Sequence, residues 1–303
     1  MSAMETLSTR CQQLDRTQAD TSPPSPSPPL RIMLWCVPRS ISTAFLRCVT
    51  NSGSCATEVF HEPYSAAYYF GPERRARSDG PAVPQESQYS YGWVRRQLEA
   101  DYMGRDAVFC KDMAFAVTGR YDGIPDGYRH TFLIRDPLKA FTSYHKVVQS
   151  YPGNPENVSV QNGLPDGFGF KESYELYRHI CSTYRQLPVV VDADDLLRSP
   201  RTIMRQYCSA VGLPFAESIL TWPSSDALSS DWHCAPTFRA LSSIMGTYRR
   251  ALQSTSFGSS GGSCGEDGAA NPIASTDLPP GVAECAEFSQ PYYKKLYEQR
   301  LRP

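Results

Sequence analysis

No stretch of the 303 residues stays apolar for the length a membrane span requires, no two of the ten cysteines form a C-x-x-C pair, and acidic and basic side chains nearly cancel, leaving a net charge of -1. Each lack excludes something. Without a span-length run the chain is not expected to cross a bilayer. Cysteines without paired spacing, many in apolar segments such as those around Cys36, Cys48, Cys110 and Cys208, read as buried free thiols of a reducing compartment, not as a disulfide framework or zinc site. Nothing in a balanced charge suggests nucleic acid or an anionic membrane surface as the main partner. Also missing are the G-x-x-x-x-G-K-[ST] loop of nucleoside-triphosphate enzymes and any carboxylate cluster spaced for a metal, so no metal site is expected.

Chain length and an apolar content of 41% fit one large α/β domain or two small ones. Residues 1–29 mix charges, lack an apolar leader core and end in TSPPSPSPP, a composition expected to stay extended and disordered. The folded domain is therefore expected over residues 30–303, in the cytoplasm. Glu5, Asp15 and Asp20 count against an organellar presequence. Strand-like runs at 31–37, 56–60, 107–110, 131–134 and 188–191 alternate with helical segments, which predicts a parallel sheet flanked by helices. Helices are expected over 89–102, 171–187 and 282–301, and from Pro200 to a stop at Gly212. The glycine- and serine-rich stretch 254–280 reads as a flexible insertion.

The most informative segment is RIMLWCVPRSISTAF, residues 31–45. An apolar strand breaks at Pro38, and Arg39, Ser40, Ile41, Ser42 and Thr43 lead into a helix continuing through Ala44. The orphan N–H groups and positive dipole end of such a helix attract phosphate or sulfate; the plainer reading is a helix N-capped by Ser40 or Ser42, with Arg39 solvated. Residues 130–148, HTFLIRDPLKAFTSYHKVV, repeat the grammar, with Arg135 at a strand end, Pro137 opening a helix and Ser143 eight residues after the arginine. A guanidinium forks onto phosphate oxygens, and a serine on the next helix closes the other side.

Pro-Arg-Ser-x-Ser-Thr after a strand resembles the 5′-phosphosulfate loop of sulfotransferases that use 3′-phosphoadenosine 5′-phosphosulfate (PAPS), whose pattern is Pro-[Lys/Arg]-Ser-Gly-[Ser/Thr]-Thr. In that family the second motif's arginine and serine grip the donor's 3′-phosphate. The resemblance implies a P-loop nucleoside-triphosphate-hydrolase-like sulfotransferase fold, with PAPS bound by Arg39, Ser40, Ile41, Ser42, Thr43, Ala44, Arg135 and Ser143. It also implies sulfuryl transfer to a hydroxyl or amine of a small-molecule acceptor, without a metal. Arg39 stands where the family has Lys or Arg and is the candidate to stabilise charge on the departing phosphate. The C-terminal Tyr-x-x-Leu-Tyr of residues 293–297 is similar to an element of related sulfotransferases.

The chain also departs from the pattern. Met113 replaces the histidine base of the cytosolic branch although Lys111 is kept, Ala193 replaces a tyrosine near the adenine, and no Arg-Lys-Gly segment is present. Glu62, in His61-Glu62-Pro63-Tyr64, resembles the glutamate base of carbohydrate and bacterial sulfotransferases. A carboxylate among Phe60, Tyr64 and Tyr68 is expected to have a raised pKa suited to deprotonating an acceptor. His61 is the second candidate, with His145 and Asp112 behind it. The acceptor pocket is expected from 64–84 and 154–170, while acceptor identity and oligomeric state are left open. Two alternatives stand beside this reading: a P-loop kinase or nucleotide hydrolase, and a catalytically silent nucleotide-binding module.

Overall fold

The computed structural model describes residues 27–51, 53, 55–76, 85–149, 160–161, 164–258, 278–279 and 281–303. Five strands, β1 (Leu30–Cys36), β2 (Thr57–His61), β3 (Ala107–Met113), β4 (Arg129–Ile134) and β5 (Val189–Asp192), form a wholly parallel sheet in the order β2-β3-β1-β4-β5. The helices are α1 (Ser42–Thr50), α2 (Pro63–Phe70), α3 (Tyr91–Glu99), α4 (Pro137–Gln149), α5 (Phe170–Thr183), α6 (Ala193–Arg198), α7 (Pro200–Val211), α8 (Pro236–Met245), α9 (Arg249–Gln253) and α10 (Val282–Tyr297). The five expected strands and the parallel α/β class are present. Except for residues 27–29, the expected tail lies outside the described residues.

β1 is apolar on both sides because it is covered on both sides. Ile32, Leu34 and Cys36 pack into one core with Phe45, Phe109 and Tyr207, whereas Met33, Trp35 and Val37 enter the other with Tyr64, Phe132 and Phe141. Side chains alternate across a strand, so a central parallel strand reads as a continuous hydrophobic run. Burying each large residue of this kind contributes about 1.5–3 kcal/mol. The apolar and aromatic residues expected along the helices at 89–102 and 171–187 serve the core that holds Trp35: Val94, Leu98 and Tyr177 are buried in it, and Trp93, Tyr174 and Tyr184 pack against it.

The sheet order also brings the two arginine motifs together. From β1 the chain winds through β2 and β3 on one side, then crosses to β4 and β5 on the other. The C-terminal ends of β1 and β4 thus flank the point where the strand order reverses, the usual site of a ligand crevice in open α/β sheets. The Val37 N–H donates to the Leu133 carbonyl at 3.3 Å, holding the two strand ends side by side.

Two buried charged groups tie loops to this frame. The Asp112 carboxylate, at the end of β3, accepts from the N–H groups of Tyr64 (2.5 Å) and Ser65 (3.1 Å) and from the Ser65 hydroxyl (2.6 Å), fixing the first turn of α2. Arg47, on α1, donates to the carbonyls of Ala251, Leu252, Ser254 and Pro223. The latter contacts correct part of one expectation. Residues 254–258 were expected to open a flexible insertion, yet Ser254 and Phe257 are buried and Ser256 bridges to Thr221, because Arg47 holds the segment against α1. Residues 259–277 and 280 lie outside the described residues.

The C-terminal helix docks as expected. Tyr293 donates to Asp192 at 3.0 Å, Leu296 is fully buried, and the Leu301 N–H donates to the Val190 carbonyl at 2.8 Å on β5.

Replacing Asp112 with alanine strips three buried donors of their acceptor at about 1–3 kcal/mol each. Asp112→Ala is expected to lower unfolding free energy in urea by about 3 kcal/mol or more, with Asp112→Asn recovering part of the loss.

Candidate active site

A cleft of about 480 Å³ opens at the C-terminal ends of β1, β3 and β4. Its floor is the 37–41 turn, where Arg39 (φ 61°) and Ile41 (φ 60°) both adopt left-handed backbone. Such a conformation costs a side-chain-bearing residue about 1–2 kcal/mol. Of the five non-glycine residues with positive φ among those described, Arg39, Ile41 and Glu62 line this one cleft. Strained backbone of this kind clusters at functional sites, which makes this cleft the candidate.

α1 begins without a side-chain cap. Ile41 is its N-cap residue and Ser42 its first helical residue, and the Ser40 hydroxyl donates instead to the Val37 carbonyl at 2.8 Å. Ser40 and Ser42 therefore do not cap the helix, because the left-handed Ile41 turns the chain into α1 one residue later than an N-capping Ser40 would require. The first N–H groups of the helix have no side-chain acceptor, which suits an anion.

The second motif meets the first here. Arg39 donates from Nε to Ser143 Oγ (3.2 Å) and from a terminal nitrogen to the Thr247 carbonyl (3.0 Å), while Arg135 donates to the Arg39 carbonyl at 2.9 Å. Arg135 Nε is buried without a hydrogen-bond partner, a donor that an anionic oxygen would satisfy. Burial lowers the Arg135 guanidinium below its ordinary pKa; Asp194 opposes this and the nearby Arg250 charge adds to it. Of the ten residues singled out from sequence, Arg39, Ile41, Ser42, Thr43, Ala44, Glu62, Arg135 and Ser143 line the cleft; Ser40 and His61 do not.

Glu62 sits 3% exposed at the N-cap of α2. Lys111, fully buried on β3, donates to its Oε1, and the Tyr248 hydroxyl donates to its Oε2 at 2.8 Å. Burial is the largest single influence and pushes this carboxyl up, but the Lys111 charge, His61 and the hydrogen bonds from Lys111 and Tyr248 together outweigh it and bring the pKa down to about 2. The raised pKa expected for Glu62 is thus reversed, because beneath its apolar neighbours lies the buried Lys111 cation. His61 lies behind the cleft, stacked on Trp232 and edge-on to Tyr248. Burial drops its pKa to about 4, so it is neutral near pH 7. Asp112 is committed to α2, and neither it nor His145 lines the cleft.

Three lining residues went unassigned in the sequence. Lys111 is marked in the sequence only by its place beside Met113, and Tyr248 and Arg250 only by the adjacent arginines of Gly-Thr-Tyr-Arg-Arg (246–250), a basic signal ahead of the glycine-rich stretch. With Arg250 the lining holds four cations, Arg39, Lys111, Arg135 and Arg250, against the single carboxylate of Glu62. Such a site attracts a multiply charged anion. Among the described residues no group of three or more His, Cys, Asp or Glu side chains could hold a metal ion.

Because the Glu62 pKa is depressed, its pairing stabilises the fold above the ordinary carboxylate range, and that contribution is lost as pH falls toward 2. Removing one partner of a buried pair costs about 3–5 kcal/mol. Lys111→Met is expected to destabilise by that amount at pH 7 and by less at pH 4.5, where the unpaired Glu62 takes up a proton. Urea unfolding at the two pH values measures the difference.

Residues 30–248 match a family model described as a sulfotransferase domain. Two curated relatives from Arabidopsis thaliana also match. Branched-chain-amino-acid aminotransferase-like protein 2 is 26% identical over 219 residues, covering 66% of this chain and 34% of the relative. Branched-chain-amino-acid aminotransferase-like protein 1 is 27% identical over 194 residues, covering 62% and 31%. The chain therefore spans about a third of the length of these relatives. Among solved structures, the sulfotransferase domain from the curacin biosynthetic pathway aligns with TM-score 0.45 at 11% identity, covering 92% of this chain and all of that one. A sulfotransferase from Alicyclobacillus acidocaldarius aligns with TM-score 0.45 at 14% identity, covering 75% and 95%. With the family match extending over most of its length, and with the two arginine motifs meeting in one cleft, this chain belongs to the sulfotransferase domain family.

Proposed function

We propose that the protein transfers the sulfuryl group of PAPS to a hydroxyl, or an amine, of a small-molecule acceptor by in-line displacement. The observation that carries this reading is the shared cleft of the Arg39 turn, the Arg135–Ser143 pair and the buried Glu62–Lys111 pair. The helix α1 N–H groups and the Ser42 and Thr43 hydroxyls hold the 5′-phosphosulfate, with Ile41 and Ala44 shaping the turn and Ser40 bracing it through the Val37 carbonyl, and Arg135 with Ser143 holds the 3′-phosphate. The orphaned Arg135 Nε supports that fit.

In the reaction the acceptor oxygen forms a bond to sulfur as the bond from sulfur to the 5′-phosphate oxygen breaks. The acceptor proton passes to Glu62, and 3′-phosphoadenosine 5′-phosphate leaves with the electron pair of the broken bond. Arg39 stabilises the charge gathering on the leaving oxygen. Glu62 is ionised at neutral pH and so is ready to accept a proton. An approaching donor anion competes for Lys111, and each interaction Glu62 loses makes it a stronger base. His61 acts from behind, as a neutral wall beside Glu62. The reading assigns no step to a metal and takes residues 30–303 as one catalytic unit acting in the cytoplasm. The free thiols of the described cysteines support that placement; among the described residues no helix is long and apolar enough to cross a membrane.

Calorimetry with 3′-phosphoadenosine 5′-phosphate tests the donor site. Arg39→Ala and Arg135→Ala are each expected to weaken binding about tenfold or more, the loss of a charge-assisted contact; unaltered affinity in both overturns the reading. Glu62→Gln is expected to cut turnover about 100-fold or more while affinity for the nucleotide changes less than about threefold. Turnover that survives this substitution removes Glu62 as the base. Activity abolished by a chelator and accompanied by ATP hydrolysis would instead mark a kinase or nucleotide hydrolase, and nucleotide binding without turnover a silent binding module.

A further inference from the structure

The lining of the cleft divides sharply by chemistry. Its five charged residues, Arg39, Glu62, Lys111, Arg135 and Arg250, belong to the segments around the strand ends and the 247–250 turn. The other end is built by Ser65, Tyr69 and Phe70 of α2, Phe115 just beyond β3, and Phe238 and Leu241 of α8, with Met113 between the two ends. Among the described residues lining that end, none is charged.

The aromatic end is pre-formed. Phe238 meets Phe70 edge-to-face at 4.9 Å and Tyr69 at 6.3 Å, and Tyr69 meets Phe115 edge-to-face at 6.2 Å. Edge-to-face pairs at these separations hold their rings in a fixed arrangement, so the walls resist collapse onto a small polar ligand. The direction of the chamber is fixed as well. α2 starts at Pro63 with Glu62 as its N-cap, Ser65 and Tyr69 fall on one helix face, and the span from 62 to 69 rises about 10 Å at 1.5 Å per residue. Asp112 anchors that first turn. An acceptor whose reacting oxygen lies at Glu62 must extend its body along Ser65 and Tyr69 toward Phe238 and Leu241. A sugar placed there would leave most of its hydroxyls unpaired, at about 1–3 kcal/mol for each buried group. A carboxylate or ammonium would be desolvated without a counter-charge.

Building on the sulfotransferase reading, we propose that the acceptor is an uncharged alcohol or phenol with an apolar, preferably aromatic, body of about 10 Å, and that sugars, amino acids and hydroxy acids are rejected. The product is then the sulfate ester of that alcohol: a new acceptor C–O–S linkage, the proton on Glu62, and 3′-phosphoadenosine 5′-phosphate released. The Met113 thioether contributes to this selection. Lining the same cleft, it presents a soft, polarizable surface to a ring.

The test uses the whole chain with PAPS, comparing 2-naphthol and 1-decanol with glucosamine, serine and 4-hydroxybutyrate, and identifying sulfated products by mass spectrometry. Calorimetry in parallel measures 2-naphthol and 3′-phosphoadenosine 5′-phosphate binding separately. The expected result is kcat/KM for 2-naphthol at least about 100-fold above that for glucosamine, a preference of the size that a few unpaired hydroxyls impose. Leu241→Asp is expected to raise KM for 2-naphthol about tenfold or more, with nucleotide affinity unchanged, since it places a charge on the apolar wall away from the strand ends. Phe238→Ala gives the same KM effect without adding a charge. Equal or better turnover of glucosamine or 4-hydroxybutyrate overturns the proposal, as does failure of 2-naphthol to bind the nucleotide-loaded protein, or no change in Leu241→Asp and Phe238→Ala. A protein that binds 2-naphthol but not the nucleotide would keep the apolar chamber and refute the donor reading.

Discussion

A lysine with no exposed surface sits beneath the cleft, and its charge is tolerable only because Glu62 meets it. Transfer of either ion alone into this interior would cost several kcal/mol, so the pair constrains everything that carries it. Lys111 comes from β3 and Glu62 from the end of β2, strands that the register places side by side at His61 and Lys111. The carboxylate reaches Lys111 because Glu62 accepts a left-handed backbone, and that turn in turn starts α2 on Asp112. The ion pair, the strained residue and the helix direction are three aspects of one local solution.

The donor end obeys a related constraint. Arg39 and Arg135 occupy equivalent places after neighbouring strands, and like charges so close repel. Their arrangement distributes the cost. The Arg39 carbonyl accepts from Arg135, and the Arg39 guanidinium turns toward Ser143 and Thr247. The 247–250 turn therefore contacts both halves of the cleft: Thr247 receives Arg39, Tyr248 holds Glu62, and Arg250 adds its charge near Arg135.

Much of this was legible in the residues. An uninterrupted apolar run ending in Pro-Arg-Ser predicts a buried parallel strand and an anion turn, because period and breaker residues are local signals; β1, β4 and their arginines stand where that logic puts them. The Glu62 environment was not legible, since its tuning group lies 49 residues away on another strand, and only sheet register reveals the neighbour. Tyr248 and Arg250 were hidden for a similar reason. They precede a glycine-rich stretch whose composition suggested a linker, while the contact that fixes their surroundings comes from Arg47 on α1. Ser40 and Ser42 illustrate the reverse: residue types that commonly cap helices were present, but a left-handed Ile41 shifted the helix start and left their hydroxyls with other partners.

Arg47 sets a limit on how the chain can be divided. Its guanidinium is buried and spends its donors on carbonyls at 223, 251, 252 and 254, three of which lie past residue 248, where the family match stops. A fragment excised at that match boundary would keep the cation and lose most of its acceptors, and it would also lose the strand-edge bond from Leu301. The contacts that hold α1 thus extend beyond the region of the family match. Any fusion partner, permutation or truncation must respect the reach of a single arginine side chain and leave its distal carbonyls in place.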